Sequence, residues 1–161
     1  MRKKKHILFF ERFSGQLSYF PDDPERSGVH LTVETNSLVC RDPWLKAKKR
    51  ETVARYARNE SLSAGRYPEI DFVSSRMSRK ALRGFLIEGQ LKIRDMSRIV
   101  NLNVVLNTGK KHGLQIDGDA VFRLSEFGIA QPSSLFGFIG TQDEVLIHAL
   151  LWATQSQIQA E

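Results

Sequence analysis

The chain has one cysteine, Cys40, so no internal disulfide can brace it. No apolar run approaches the roughly 20 residues a membrane-spanning helix needs. Internal repeats and low-complexity tracts are missing. So are the motifs that announce chemistry: there is no Gly-rich phosphate loop, no G-x-S-x-G elbow and no H-E-x-x-H pair. The four histidines, His6, His30, His112 and His148, are scattered, and none stands at metal-ligand spacing from a cysteine or carboxylate. Serines are present, but nothing arranges one into a triad. Asp117 and Asp119 share one face of a period-two segment. Without an apolar pocket to separate their pKa values, they read as a solvated edge. Cys40 reads as a small core residue. These absences argue against an enzyme and leave no cofactor or metal to expect.

What is present is 161 residues, 41% hydrophobic and 26% charged, enough for one globular domain over residues 1–161 with a real core. The net charge of +6 is unevenly placed. The tail Arg2-Lys3-Lys4-Lys5 carries +4 and residues 41–66 carry +5, which leaves −3 for the rest. A nucleic-acid groove spreads its cations over a face built from several elements. Two local clusters instead suit an anionic head group or an acidic surface, with a merely solvated helix face as the plainer reading. No nucleic-acid partner is expected. The basic start resembles the beginning of a signal peptide, but its apolar stretch ends after Ile7–Phe10 at Glu11 and Arg12. The chain as written is therefore expected in the cytoplasm, or in the periplasm if the natural start lies upstream.

Most of the chain alternates with period two, the mark of strands with one buried and one wet face. The inward sets are Val29, Leu31, Val33; Ile70, Phe72, Ser74; Phe85, Ile87, Gly89, Leu91, Ile93; Val100, Leu102, Val104, Leu106; Leu114, Ile116, Gly118, Ala120, Phe122; and Val145, Ile147, Ala149, Leu151. A further strand runs from Gly15 to Phe20 and stops at Pro21-Asp22-Asp23-Pro24. The links Arg94–Arg98 and Thr108–Gly113 are too short for parallel crossovers, so these neighbours are antiparallel. About eight strands result, a number that closes into a barrel or folds into a sandwich.

One stretch departs from this pattern. Asp42-Pro43 suits an N-cap followed by proline at the first helical position. Leu45, Val53, Tyr56 and Ala57 then recur at helical spacing among lysines and arginines, until Gly65 and Pro68. The prediction is one inserted amphipathic basic helix over residues 42–63.

The second half carries an ordered series of motifs. Arg66-Tyr67-Pro68-Glu69-Ile70-Asp71-Phe72-Val73-Ser74 resembles the "YP-x-I-x-F-x-S" strand of the YceI-like family. Glu88-Gly89-Gln90-Leu91-Lys92-Ile93 with Arg98 is similar to its central hairpin, Leu124-Ser125-Glu126-Phe127-Gly128-Ile129 to its "R-s-d-F-G-I" segment, and Asp143-Glu144-Val145 to its closing "D-E-V" strand. Pro21 to Leu38 is similar to the family's early turn and strand, so the resemblance covers most of residues 14–152. The chain lacks the family's initial "D-x-x-H-S" strand, so a shortened or missing first strand is expected. Its hairpin turn holds Asp95-Met96-Ser97 where the family commonly has Gly, an apolar residue and Thr.

The resemblance implies a mainly β protein: an antiparallel, lipocalin-like β-barrel of about eight strands with one inserted amphipathic α-helix. It also implies non-catalytic binding or transport of a polyisoprenoid or similar long-chain lipid in the barrel interior. The expected tunnel contacts are Phe72, Phe85, Ile87, Leu91, Leu102, Val104, Ile116, Phe122 and Ile147, and plain core packing stands beside that role for each. Lys48, Lys49, Arg55 and Arg66 are the head-group candidates, with solvated surface as the plainer reading. Trp44, Tyr56 and Tyr67 are candidates for the mouth, although core packing suits Trp44 better. The small inward residues Ser74, Gly89, Gly118, Ala120 and Ala149 either open space for a ligand or offset bulky neighbours. The rival function is a filled barrel that serves as a protein-interaction module through its basic helix or a sheet edge. An incompletely closed barrel also makes a homodimer plausible.

Overall fold

The computed structural model describes residues 6–108, 113–130 and 143–154. The basic tail Arg2–Lys5 and His112 lie outside these residues. Nine strands occur among them: β1 (Leu8–Phe10), β2 (Phe13–Ser18), β3 (Gly28–Glu34), β4 (Leu38–Cys40), β5 (Glu69–Arg79), β6 (Gly84–Ile93), β7 (Met96–Thr108), β8 (Gly113–Arg123) and β9 (Glu144–Thr154). Seven of them form one antiparallel sheet in the order β2-β3-β5-β6-β7-β8-β9, which curls into a half-barrel of the lipocalin-like type. Strands β1 and β4 pair separately.

The ninth strand arises near the N-terminus, where one extended run is split into β1 and β2. Glu11 and Arg12 interrupt it, and a 3-10 turn at Thr35–Ser37 interrupts the partner run between β3 and β4 at the same level. The two breaks are joined by backbone bonds from Glu11 N–H to the Ser37 carbonyl and from Glu34 N–H to the Arg12 carbonyl. Ion pairs Arg12–Glu34 and Arg41–Glu11 flank them.

The period-two sets of β6 to β9 point inward as expected. On β6, Phe85, Ile87, Leu91 and Ile93 are all buried. Strand β5 keeps the pattern only as far as Ser74. A bulge between Ser74 and Arg76 then shifts the register against β6, so that the next inward side chain is Met77. Met77 is fully buried and belongs to the core with Phe72, Phe85, Phe122 and Phe127.

The β6–β7 turn is tighter than Arg94–Arg98: Ile93 pairs with Met96, leaving a two-residue loop of Arg94 and Asp95. Its left-handed residue is Arg94, at φ 59°, so the positive φ falls one position before the aspartate that stands in place of glycine.

The inserted helix is shorter than residues 42–63. Helix α1 spans Ala47–Tyr56 and continues as a π-helical turn over Ala57–Ser61. Its N-cap position is Lys46, with no side-chain cap, not Asp42. The Asp42 carboxylate is instead drawn into the core, where stronger partners than a helix end await it. Ala54, Ala57 and Leu62 pack into the core with Leu45 and Val53 beside them, and Arg58 donates to the Leu38 carbonyl at 2.7 Å, tying the helix to β4.

Candidate functional site

The nine expected tunnel residues come together on the inner face of the curled sheet, in two groups. Phe72, Phe85, Ile87, Leu91, Val104 and Phe122 are buried, whereas Leu102, Ile116 and Ile147 are half-buried. The difference follows strand position. On β9, every inward residue (Val145, Ile147, Ala149, Leu151) is half-buried, while β6 at the centre of the sheet is closed over. Apolar surface on the inner face therefore grows from the central strands toward both edges, β2–β3 on one side and β9 on the other.

The small residues on this face do not leave holes where they can be checked against neighbours. A Cβ on Gly89 would lie 2.4 Å from Phe72 Cζ and 2.6 Å from the Val73 carbonyl oxygen. At Gly118 it would meet Val104 Cγ2 at 3.3 Å. Both glycines make room for a side chain on the adjacent strand, which is the offsetting role.

The head-group candidates do not converge on the inner face. Lys48, Lys49 and Arg55 are exposed along α1, and Arg55 borders an outer groove with Thr52, Tyr56, Asn59 and Glu60. Arg66 is exposed and stacks its guanidinium over Tyr67, 5.2 Å from the ring centroid. Arg94 approaches the same ring at 6.0 Å. Trp44 is exposed, against the expectation of core packing, and its ring lies 5.2 Å from that of His6.

Two polar clusters escaped the sequence reading, because strand pairing creates them. On the outer face, the β8–β9 register sets Asp119 opposite His148. His148 Nδ1 lies 2.8 Å from Asp119 Oδ1, and its Nε2 lies 3.6 Å from Asp117 Oδ1. The hydrogen bond to Asp119 raises the His148 pKa above its ordinary value, and the nearby charges of Asp117 and Asp119 add to the rise. A raised folded-state pKa stabilises the fold fully below the unfolded value of 6.5 and loses that contribution as pH rises through the folded value. His148→Gln is thus expected to lower the urea midpoint relative to wild type at about pH 5.5 and to leave it unchanged at about pH 8.5. Parallel urea titrations at the two pH values check this. An equal loss at both would remove the charged histidine from the account.

The second cluster lies where β1 meets β4. Cys40 Sγ donates to Asp42 Oδ2 at 3.3 Å, His6 Nδ1 lies 2.5 Å from the same oxygen, and Ile7 N–H donates to Asp42 Oδ1 at 2.7 Å. Cys40 is buried, as expected of a core residue, and burial pushes its thiol pKa up. His6 precedes Cys40 by most of the N-terminal hairpin, so no local spacing reveals the grouping.

The sequence matches the YceI-like domain family over residues 4–151. No curated protein matches it in sequence. Solved structures share the fold. BcnA from Burkholderia cenocepacia is 22% identical with a TM-score of 0.74, covering 91% of this chain and 87% of its own. The YceI protein of Campylobacter jejuni is 14% identical with a TM-score of 0.71, over 98% and 89%. A polyisoprenoid-binding domain from Saccharophagus degradans is 7% identical with a TM-score of 0.62, over 92% and 85%. With the match running through the inner-face strands, the Leu124–Ile129 turn and the closing strand, the chain belongs to the YceI-like family.

Proposed function

We propose that this protein is a non-catalytic binder or carrier of a polyisoprenoid or similar long-chain lipid, held against the inner face of the half-barrel. The observation that carries this reading is the half-buried apolar surface formed by Leu102, Ile116 and Ile147 and their β9 neighbours. Such side chains gain about 25 cal/mol for each Å² that a ligand removes from water. The similar domain from S. degradans that bears the polyisoprenoid-binding name supports the choice of ligand. The buried phenylalanines then form the wall behind the ligand. Lys48, Lys49, Arg55 and Arg66 are assigned to an anionic head group outside the barrel.

A second reading rests on the edge strand. Among the described residues β9 pairs only with β8, and its outer face exposes Leu146, Leu150 and Trp152, the last at 63%. An apolar edge of this length suits pairing with another protein or with a second copy of the chain.

Leu146 and Ile147 are adjacent and face opposite sides, so they separate the two readings. The purified protein is given a polyprenyl lipid, and bound lipid and oligomeric state are read by native mass spectrometry. For the carrier, Ile147→Glu lowers uptake at least about tenfold, since a charge placed against an apolar ligand costs more than 1.4 kcal/mol, while Leu146→Glu takes up lipid normally. If neither wild type nor Leu146→Glu takes up lipid, and wild-type dimers dissociate in Leu146→Glu, the edge becomes the functional surface.

A further inference from the structure

We propose that His6, Cys40 and Asp42 form a binding site for one divalent transition-metal ion of the zinc type. The site lies beside the β1–β4 pair and is independent of the lipid reading. Its donors are an imidazole nitrogen, a thiol sulfur and a carboxylate oxygen, the three ligand types zinc takes, and all lie within 4.8 Å of one another.

The donor spacing is close to that of a tetrahedral site. Zinc–ligand lengths of about 2.0 Å to oxygen or nitrogen and about 2.3 Å to sulfur put sulfur and oxygen about 3.5 Å apart, and nitrogen and oxygen about 3.3 Å apart. Cys40 Sγ and Asp42 Oδ2 already stand 3.3 Å apart. His6 Nδ1 is closer to that oxygen, at 2.5 Å, so its ring has to retreat by about 0.8 Å. His6 lies before β1 and its side chain is 22% exposed, so this retreat disturbs no strand pairing.

The surroundings fix the other two donors. Asp42 is fully buried, and its second oxygen is held by the Ile7 N–H, the outer-sphere bond that orients a ligating carboxylate. Cys40 is held by its pairing with Leu8, and Arg41 N–H donates to the Ile7 carbonyl at 3.0 Å. The ion-pair partner of the buried Asp42 carboxylate is His6 itself, so a cation bound between the two takes over the compensation that His6 now supplies. On binding, the Cys40 S–H bond breaks and a sulfur–metal bond forms, the proton leaving to solvent. The Nδ1–H that Asp42 accepts from His6 also breaks, its proton passing through solvent so that the ring proton stands on Nε2; the freed Nδ1 lone pair goes to the metal, and nothing is oxidised or reduced. A water molecule completes the tetrahedron.

Cobalt(II), titrated into the full-length reduced protein, tests this. Cys40 is the only cysteine, so any thiolate-to-cobalt charge-transfer absorption belongs to it. The expected result is a band that saturates at one ion per chain and is displaced by zinc(II). It should be abolished in Cys40→Ser and weakened at least about tenfold in affinity by His6→Ala. His148→Ala, which dismantles the sulfur-free outer cluster, should leave it intact. Absence of the band in folded wild-type protein overturns the proposal, as does saturation at one ion per two chains or unchanged affinity in His6→Ala. His6→Ala keeps the test open if Cys40→Ser does not fold, because His6 is outside every strand.

Discussion

Phe127→Ala is expected to lower the unfolding free energy by about 3–5 kcal/mol, read from urea unfolding monitored by circular dichroism. Phe127 is 1% exposed and meets Phe122 edge-to-face with ring centroids 5.2 Å apart. The geometry leaves little room for collapse around the deleted ring. Phe127 sits in the 3-10 turn Leu124–Phe127, whose start is held by Glu126 Oε2 accepting the Arg123 N–H. Asp143 receives both the N–H and the hydroxyl of Ser125, and these bonds lower its pKa. The turn ends at Gly128 in the left-handed region, at φ 64°. Backbone and side chain are thus fixed from three directions, so the vacated volume persists as a cavity. Phe122, an expected ligand contact, loses its aromatic partner in the same step. A loss below about 1 kcal/mol would show that the turn relaxes onto the sheet and that Phe127 does not close this part of the core.

The same segment shows why so much of the fold was legible from the sequence. In β6 to β9 one face is covered and the other is wet, so period two translates directly into burial. Phe85, Ile87, Leu91 and Ile93 needed no further information. Legibility ends where tertiary contacts overrule a local signal. Asp42-Pro43 has the form of a helix start, yet the Asp42 carboxylate finds the Ile7 N–H, Cys40 and His6 once β1 pairs with β4, and the helix begins five residues later. Met77 was missed because one bulge inverts the parity of the strand. The outer pairing of Asp119 with His148 depends on the β8–β9 register, which alternation alone does not specify. Candidate contacts on the inner face were therefore readable one by one, while the gradient from closed β6 to half-covered β9 was not. That gradient depends on the order of strands in the sheet.

Gly89→Val should cost about 3 kcal/mol, the upper end of what overpacking a core exacts. Its Cβ alone falls 2.4 Å and 2.6 Å from two atoms of the Phe72 ring and 2.6 Å from the Val73 carbonyl oxygen, and the latter is backbone that a rotamer change leaves in place. The sequence allowed two roles for this glycine, opening a ligand space or receiving a large neighbour. A double-mutant cycle in urea separates them. Gly89→Ala should destabilise strongly in the wild-type background and less with Phe72→Leu, giving a coupling energy of about 1 kcal/mol, since leucine removes the ring but leaves the carbonyl contact. Zero coupling would mean that the Phe72 ring turns away at no cost and that the Val73 carbonyl alone limits the space beside Gly89. With coupling, the Phe72–Gly89 contact is a filled joint between β5 and β6, and a bound chain has to lie farther along the sheet, over Leu102, Ile116 and Ile147. The binding result follows the same division: Gly89→Ala, which alters only the joint between β5 and β6, takes up lipid as wild type does, whereas Ile147→Glu does not.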